Sequence, residues 1–181
     1  MSSKVDDLLT NYEKVLIEPW GGNLSGQEKI WFLVFDPTEI RKIALRLGDF
    51  ERVTRKNNKN WVEIDLQNCF PEWMKNHEYR DAYFSDPEAI QDQIEYDFKR
   101  YIVDYISQII HQIENLENTV VALTNVASLF GFLKLSDILN EIYYLNKGRI
   151  LIFFPGEFHD NHYRFLNARD GWSYLARPIT S

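Results

Sequence analysis

Cysteine is nearly absent from this chain: Cys69 is the one thiol in 181 residues. Without a second thiol no internal disulfide forms, which fits a reducing compartment and leaves packing to hold the fold. Long apolar runs are missing too. The longest, Ile30 to Phe35, has six residues, where a bilayer-spanning helix needs ~18. The start "MSSKVDDLLTNYEKVL" lacks the basic head and apolar stretch of a signal peptide. Basic charge is short: 20 Lys and Arg face 27 Asp and Glu, for a net charge of −7 and a pI near 5.1. That balance argues against a broad nucleic-acid footprint and leaves only local basic patches. There is no internal repeat and no low-complexity segment. These absences predict a soluble cytoplasmic protein, long enough to bury a core, forming a single domain over residues 1–181.

What the chain does have is apolar weight, 45% of its residues, with 15% aromatic. That is a globular composition. Val5, Leu8, Leu9, Tyr12, Val15 and Leu16 recur at helical spacing and predict a helix over 5–17, closed by Pro19. "IWFLVF" (30–35), "VVAL" (120–123) and "ILIFF" (150–154) are unbroken apolar runs and read as strands buried on both faces. "WVEIDL" (61–66) alternates, which predicts a strand near a sheet edge. A helix is expected from Pro37 toward Val53, with Asp36 as cap and Glu39 completing a capping box. Residues 67–85 read as short helical turns. A long amphipathic helix follows "SDPE", its stripe running from Ile90 to Ile113, and another is centred on Leu135 to Tyr143. "SYLAR" (173–177) before Pro178 reads as an edge strand. Strands alternating with helices give an α/β fold: a three-layer sandwich around a mostly parallel sheet of four to five strands.

The glycine-rich "WGGNLSGQEK" (20–29) raises the question of nucleotide binding. Gly21-x-x-x-x-Gly26 opens a phosphate-loop pattern, but Gln27 and Glu28 stand where Lys and Ser or Thr must reach phosphate and magnesium. These glycines also precede a strand instead of opening a helix. Asp36 and Glu39 already put negative charge at the first helix start after β-strand 30–35. The sheet is therefore expected to be nucleotide-fold-like without a phosphate loop. In such sheets ligands bind beyond the strands' carboxyl ends, where this chain places Asp36, Thr124, Asn125, Pro155, Gly156 and Glu157.

The stretch from "VVALTNVAS" through the Leu-rich helix to "FFPG" and the final "YLARPI" carries a family resemblance. Val120–Thr124, the Ala127-Ser128 turn, Phe130–Leu145, Phe154-Pro155-Gly156 and Tyr174–Arg177 follow one another in the order seen in the B component of BREX (bacteriophage exclusion) loci, the BrxB-like family. "FLVFDPTE" (32–39) resembles that family's first strand and acidic helix start. Residues 67–95 are the least similar part. The chain departs from the family at His159-Asp160-Asn161, where an Asp-Gly-Gln-like tripeptide is usual, and at Lys134 and Ser136 in place of an Arg-x-His pair. The resemblance implies a small accessory protein of an antiphage system. Its partners would be an alkaline-phosphatase-like protein, a DNA methyltransferase or a large AAA-type ATPase. It carries no catalytic residue across.

Other constellations have ordinary readings. Glu157, His159, Asp160 and His162 supply metal-ligand types without a standard spacing, and a solvated loop is expected. Cys69 lacks a neighbouring base and reads as a small buried group. Ser128 lacks a nucleophile elbow. Arg52, Arg55, Lys56 and Lys59 form a basic patch near a helix end, where cations stabilise in any case, with docking to an acidic partner or to DNA as the functional alternative. Trp73, Tyr79, Arg80, Tyr83 and Phe84 are the candidate partner surface, because Trp, Tyr and Arg dominate interface hot spots. The expectation is an assembly component of a BREX-type complex that acts through protein contacts, needs no cofactor or metal and is not an enzyme. The competing classes are a metal- or nucleotide-dependent hydrolase and a DNA-contacting subunit.

Overall fold

The computed structural model describes residues 3–21, 23–160, 162–165, 172–173 (backbone only) and 176–181. The first helix, α1 (Lys4–Leu16), starts with a capping box: the Ser3 hydroxyl accepts from the Asp6 amide and the Asp6 carboxylate accepts from the Ser3 amide. It buries Val5, Leu8, Tyr12, Val15 and Leu16, the stripe that its periodicity marks.

Five strands form the central sheet: β1 (Ile30–Phe35), β2 (Asn60–Asp65), β3 (Thr119–Thr124), β4 (Arg149–Pro155) and β8 (Arg177–Ile179). Their order is β2-β3-β4-β1-β8 and every pair is parallel. β1, β3 and β4 are buried throughout, as two-sided apolar runs require. Alternating β2 lies at one edge, burying Trp61 and Ile64 and exposing Asp65. At the other edge β8 begins at Arg177 and includes Pro178, four residues later than the expected strand. Proline is tolerated there because an edge strand uses only half of its ladder groups. Residues 174–175 of the expected strand lie outside the described residues.

Side chains alternate between two layers. Trp31, Leu33, Phe35, Leu151 and Phe153 face α1, α2 (Ile40–Leu45) and α3 (Leu47–Lys56), where Ile43 and Phe50 meet them. Ile30, Phe32, Val34, Ile152 and Phe154 face α4 (Cys69–Lys75), α7 (Lys99–His111) and α8 (Leu135–Ile142). The result is a three-layer α/β sandwich, as the alternation of elements requires.

Two expected helices are interrupted. The chain after β1 runs as a 3₁₀ turn (Pro37–Glu39), α2, a break at Arg46, and α3. Asp36 caps the turn by accepting from the amide and hydroxyl of Thr38, while Glu39 pairs with Lys42 and does not close a capping box. After α5 (Arg80–Ser85), the long amphipathic stretch comprises a 3₁₀ turn (Pro87–Ile90), α6 (Gln91–Gln93), a π turn (Ile94–Phe98) and α7. Ile90, Ile94, Phe98, Ile102, Ile106 and Ile110 are spaced by four, which overshoots the 3.6 residues of an α-turn. The wider π turn absorbs part of that excess and keeps all six buried.

The segment expected to be a solvated loop is instead a hairpin. β5 (Glu157–His159) and β6 (His162–Arg164) pair antiparallel, joined through Asp160 at φ 50°, and β7 (Trp172–Ser173) extends them to a three-stranded sheet. Tyr163 fixes this sheet to the body. Its ring stacks on Phe32 with centroids 4.1 Å apart and its hydroxyl donates to the Ala176 carbonyl at 2.8 Å.

Candidate functional site

The chain leaves β1 toward the α1/α3 layer and leaves its neighbour β4 toward the opposite layer. Where connections part in this way an open α/β sheet has its crevice. Here it is a cavity of about 110 Å³ at the carboxyl ends of β1, β3 and β4, lined mainly by Phe35, Ile43, Leu47, Val126, Phe153 and Pro155. Ligand pockets for small molecules usually span ~300–1,000 Å³. This one holds roughly a single side chain.

Its polar residues are already engaged. The Thr124 hydroxyl donates to the Glu63 carboxylate at 2.8 Å. Asn125, held at φ 55°, donates through Nδ2 to Asp65 at 2.7 Å. Asp36 is spent on Thr38, whose hydrogen bonds hold its carboxyl below the usual range. The Gly156 amide continues the β1 ladder by donating to Phe35 at 2.8 Å. Of the strand-end residues, Thr124, Asn125 and Pro155 line the crevice, Asp36 follows its lining residue Phe35 without lining it, and Gly156 and Glu157 lead away into the small sheet.

The glycine-rich segment serves packing. A Cβ on Gly26 would lie 2.7 Å from the Tyr143 carbonyl. Ser25 and Glu28 bond each other's backbone amides, so Glu28 is a local cap. Trp20 covers a buried cation: the Arg149 guanidinium lies 4.7 Å from its ring centroid and 5.6 Å from that of Trp31. Arg149 is 3% exposed and has no carboxylate partner among the described residues. Burial pushes its pKa down, and the two indole faces replace the missing anion. No sequence pattern flagged this residue, because at a strand start an arginine looks like a boundary.

On the hairpin, Glu157 and His159 are exposed and 3.8 Å apart, and the Asp160 carbonyl meets His162 Nδ1 at 2.6 Å. Among the described residues no three His, Cys, Asp or Glu side chains converge as a metal site. Cys69 is buried, and burial together with the Asp65 charge pushes its thiol up to about 11. Ser128 donates to the Leu66 carbonyl at 2.8 Å.

The basic patch is internally matched. Arg52 bonds Asp49, Arg55 bonds Glu51, Lys56 reaches Glu13 at 3.6 Å, and Lys59 donates to Asn118 while lying over Trp20. Burial, then repulsion from Arg149, lowers the pKa of Lys59.

The aromatic stretch divides in two. Trp73, expected on the partner surface, is 8% exposed and packs against Phe98 and Phe70, so it belongs to the core. Helical phase turns it inward with Cys69. Tyr83 is half-buried against His77. Tyr79 at 58% and Phe84 at 70% stand in solvent beside exposed Arg80, and α5 has no buried residue at all.

No helix among the described residues is long and apolar enough to cross a membrane. No curated protein and no solved structure is significantly similar to the chain. The family model described as BREX protein BrxB matches residues 62–177, from β2 to the start of β8; it therefore includes the 120–177 resemblance and leaves "FLVFDPTE" outside. On that match, which spans most of the sheet and the whole α4–α8 layer, the chain belongs to the BrxB family of BREX phage-defence proteins.

Proposed function

We propose that this BREX component is an assembly subunit without catalysis of its own, working through contacts with another protein of the system. The observation that carries the reading is the pair Tyr79 and Phe84, two large rings left in solvent at the start and near the end of α5, a helix with no fully buried residue. Exposed Tyr with a neighbouring Arg is the composition that dominates interface hot spots. The small crevice with its committed polar groups supports the same reading, as does the thiol of Cys69, which is in its unreactive form at neutral pH. The partner we favour is the alkaline-phosphatase-like BREX protein, with the methyltransferase and the AAA-type ATPase as the other choices.

Co-purification tests this. The double variant Tyr79→Ala/Phe84→Ala should keep the fold, since both rings are solvated, and should weaken the complex roughly thirtyfold, the equivalent of ~2 kcal/mol. Trp73→Ala is unsuitable because it opens a cavity in the core. A complex indifferent to the double variant would move the contact to another face. Failure to co-purify with any BREX protein would overturn the reading.

A further inference from the structure

Residues 78–97 contain seven carboxylates, Glu78, Asp81, Asp86, Glu88, Asp92, Glu95 and Asp97, against the single guanidinium of Arg80. Six of the chain's seven net negative charges therefore sit in these twenty residues. All seven acids are exposed, and Asp81, at 3.2 Å from Arg80, is the one that meets a cation among the described residues. The same segment holds Tyr79, Phe84 and Tyr96, the last 73% exposed. Ile90, Ile94 and Phe98 anchor it to the body. The charge and the rings thus share the exposed side of one continuous stretch of chain, distributed over α5, the 3₁₀ turn, α6 and the π turn, with Glu95, Tyr96 and Asp97 at its end lying near Lys99 and Arg100.

We infer that this surface docks an arginine-rich, positively charged face of a partner protein. The inference rests on the assembly reading and specifies the partner's chemistry. Uncompensated carboxylates would repel a phosphate backbone, which removes nucleic acid as the occupant of this face, and they steer a cationic protein surface toward it. The exposed rings then favour arginine over lysine. A guanidinium stacks flat on an aromatic face and sheds its weakly held water, while a lysine ammonium keeps its hydration. Rings without the charge would suit any apolar patch. Charge without the rings would give only a salt-screened attraction.

The test uses whichever BREX protein co-purifies with the intact chain, with affinity measured at low and at high salt. Glu88→Gln/Asp92→Asn changes two exposed acids of the band, and Glu114→Gln/Glu117→Gln makes the same charge change elsewhere. The expected result is at least about tenfold weaker binding for the band variant, little change for the control, and a steep loss of affinity with salt in the unaltered protein. Equal weakening by both variants would mean that overall charge drives the attraction, and would overturn the local docking face. A complex that ignores salt and both variants would overturn the basic partner while leaving the assembly reading in place. Absence of any complex would overturn both.

Discussion

The phenol of Tyr12 and the hydroxyl of Thr54 lie 2.6 Å apart in the buried layer where α1 meets α3, and a third group sets the direction of their bond. Thr54 has one hydroxyl proton and gives it to the Phe50 carbonyl at 2.7 Å. Tyr12 is therefore the donor. Tyr12→Phe leaves Thr54 with its own donation intact and should cost ~1 kcal/mol, whereas Thr54→Val orphans a buried phenol and should cost ~2–3 kcal/mol. Urea unfolding midpoints for the two variants check the order. The reverse order would contradict this donor assignment.

Alkaline pH should unfold the protein in stages. Burial raises the phenols of Tyr12 and Tyr163 and lifts the Cys69 thiol from 9.0 to about 11. Each raised pKa means that the fold prefers the neutral form. The stability it contributes is complete below the unfolded pKa and is lost as pH rises through the folded value. The thiol acts between about pH 9 and 11, and the phenols act from about pH 10 upward. Melting temperatures recorded from pH 7 to 11 should fall first near pH 9, and Cys69→Ala should remove that first fall. An unchanged profile in the variant would exclude the thiol as its cause.

Gly156 is where the small antiparallel sheet leaves β4, and a Cβ there would lie 2.2 Å from the Arg164 carbonyl. Backbone cannot swing aside as a side chain can. Gly156→Ala should destabilise by ~1–3 kcal/mol and disturb the Tyr163 ring before the helices. Aromatic NMR resonances would show whether the change begins there.

ATP should not bind in the micromolar range. The strand-end crevice of about 110 Å³ is too small, and the carboxylate of Asp36 occupies the turn where a phosphate would have to sit. Calorimetric titration measures it directly, and a saturating heat signal at micromolar ATP would refute the reading.

Sequence pattern reached far into this fold because its strands are buried on two faces and its helices on one. Ile30–Phe35, Val120–Leu123 and Ile150–Phe154 could hardly be anything but central strands, and Asp65 beside Ile64 placed β2 at an edge. The helix break at Arg46 was not legible: no glycine or proline stands at the break itself, and the ion pair that Arg46 makes there with Asp6 reaches forty residues away. Composition groups Trp73 with the exposed rings, yet the phase of α4 turns it into the core, whereas Tyr79 lies beyond that helix. Arg149 was invisible for a similar reason: its ring partners Trp20 and Trp31 lie more than a hundred residues before it in the chain. Single-residue environments are set by packing between distant elements, and local pattern does not encode them.

The position of β1 has a consequence for synthesis. It leaves the ribosome before the other strands of its sheet, yet its two neighbours there, β4 and β8, are the last of the five to follow. Until residue 149 has emerged, an unbroken six-residue apolar strand has neither edge paired, which is the condition under which nascent chains aggregate. The sheet therefore closes late and around its oldest strand. Any message that ends before β4 yields a chain with an exposed apolar strand rather than a smaller working domain.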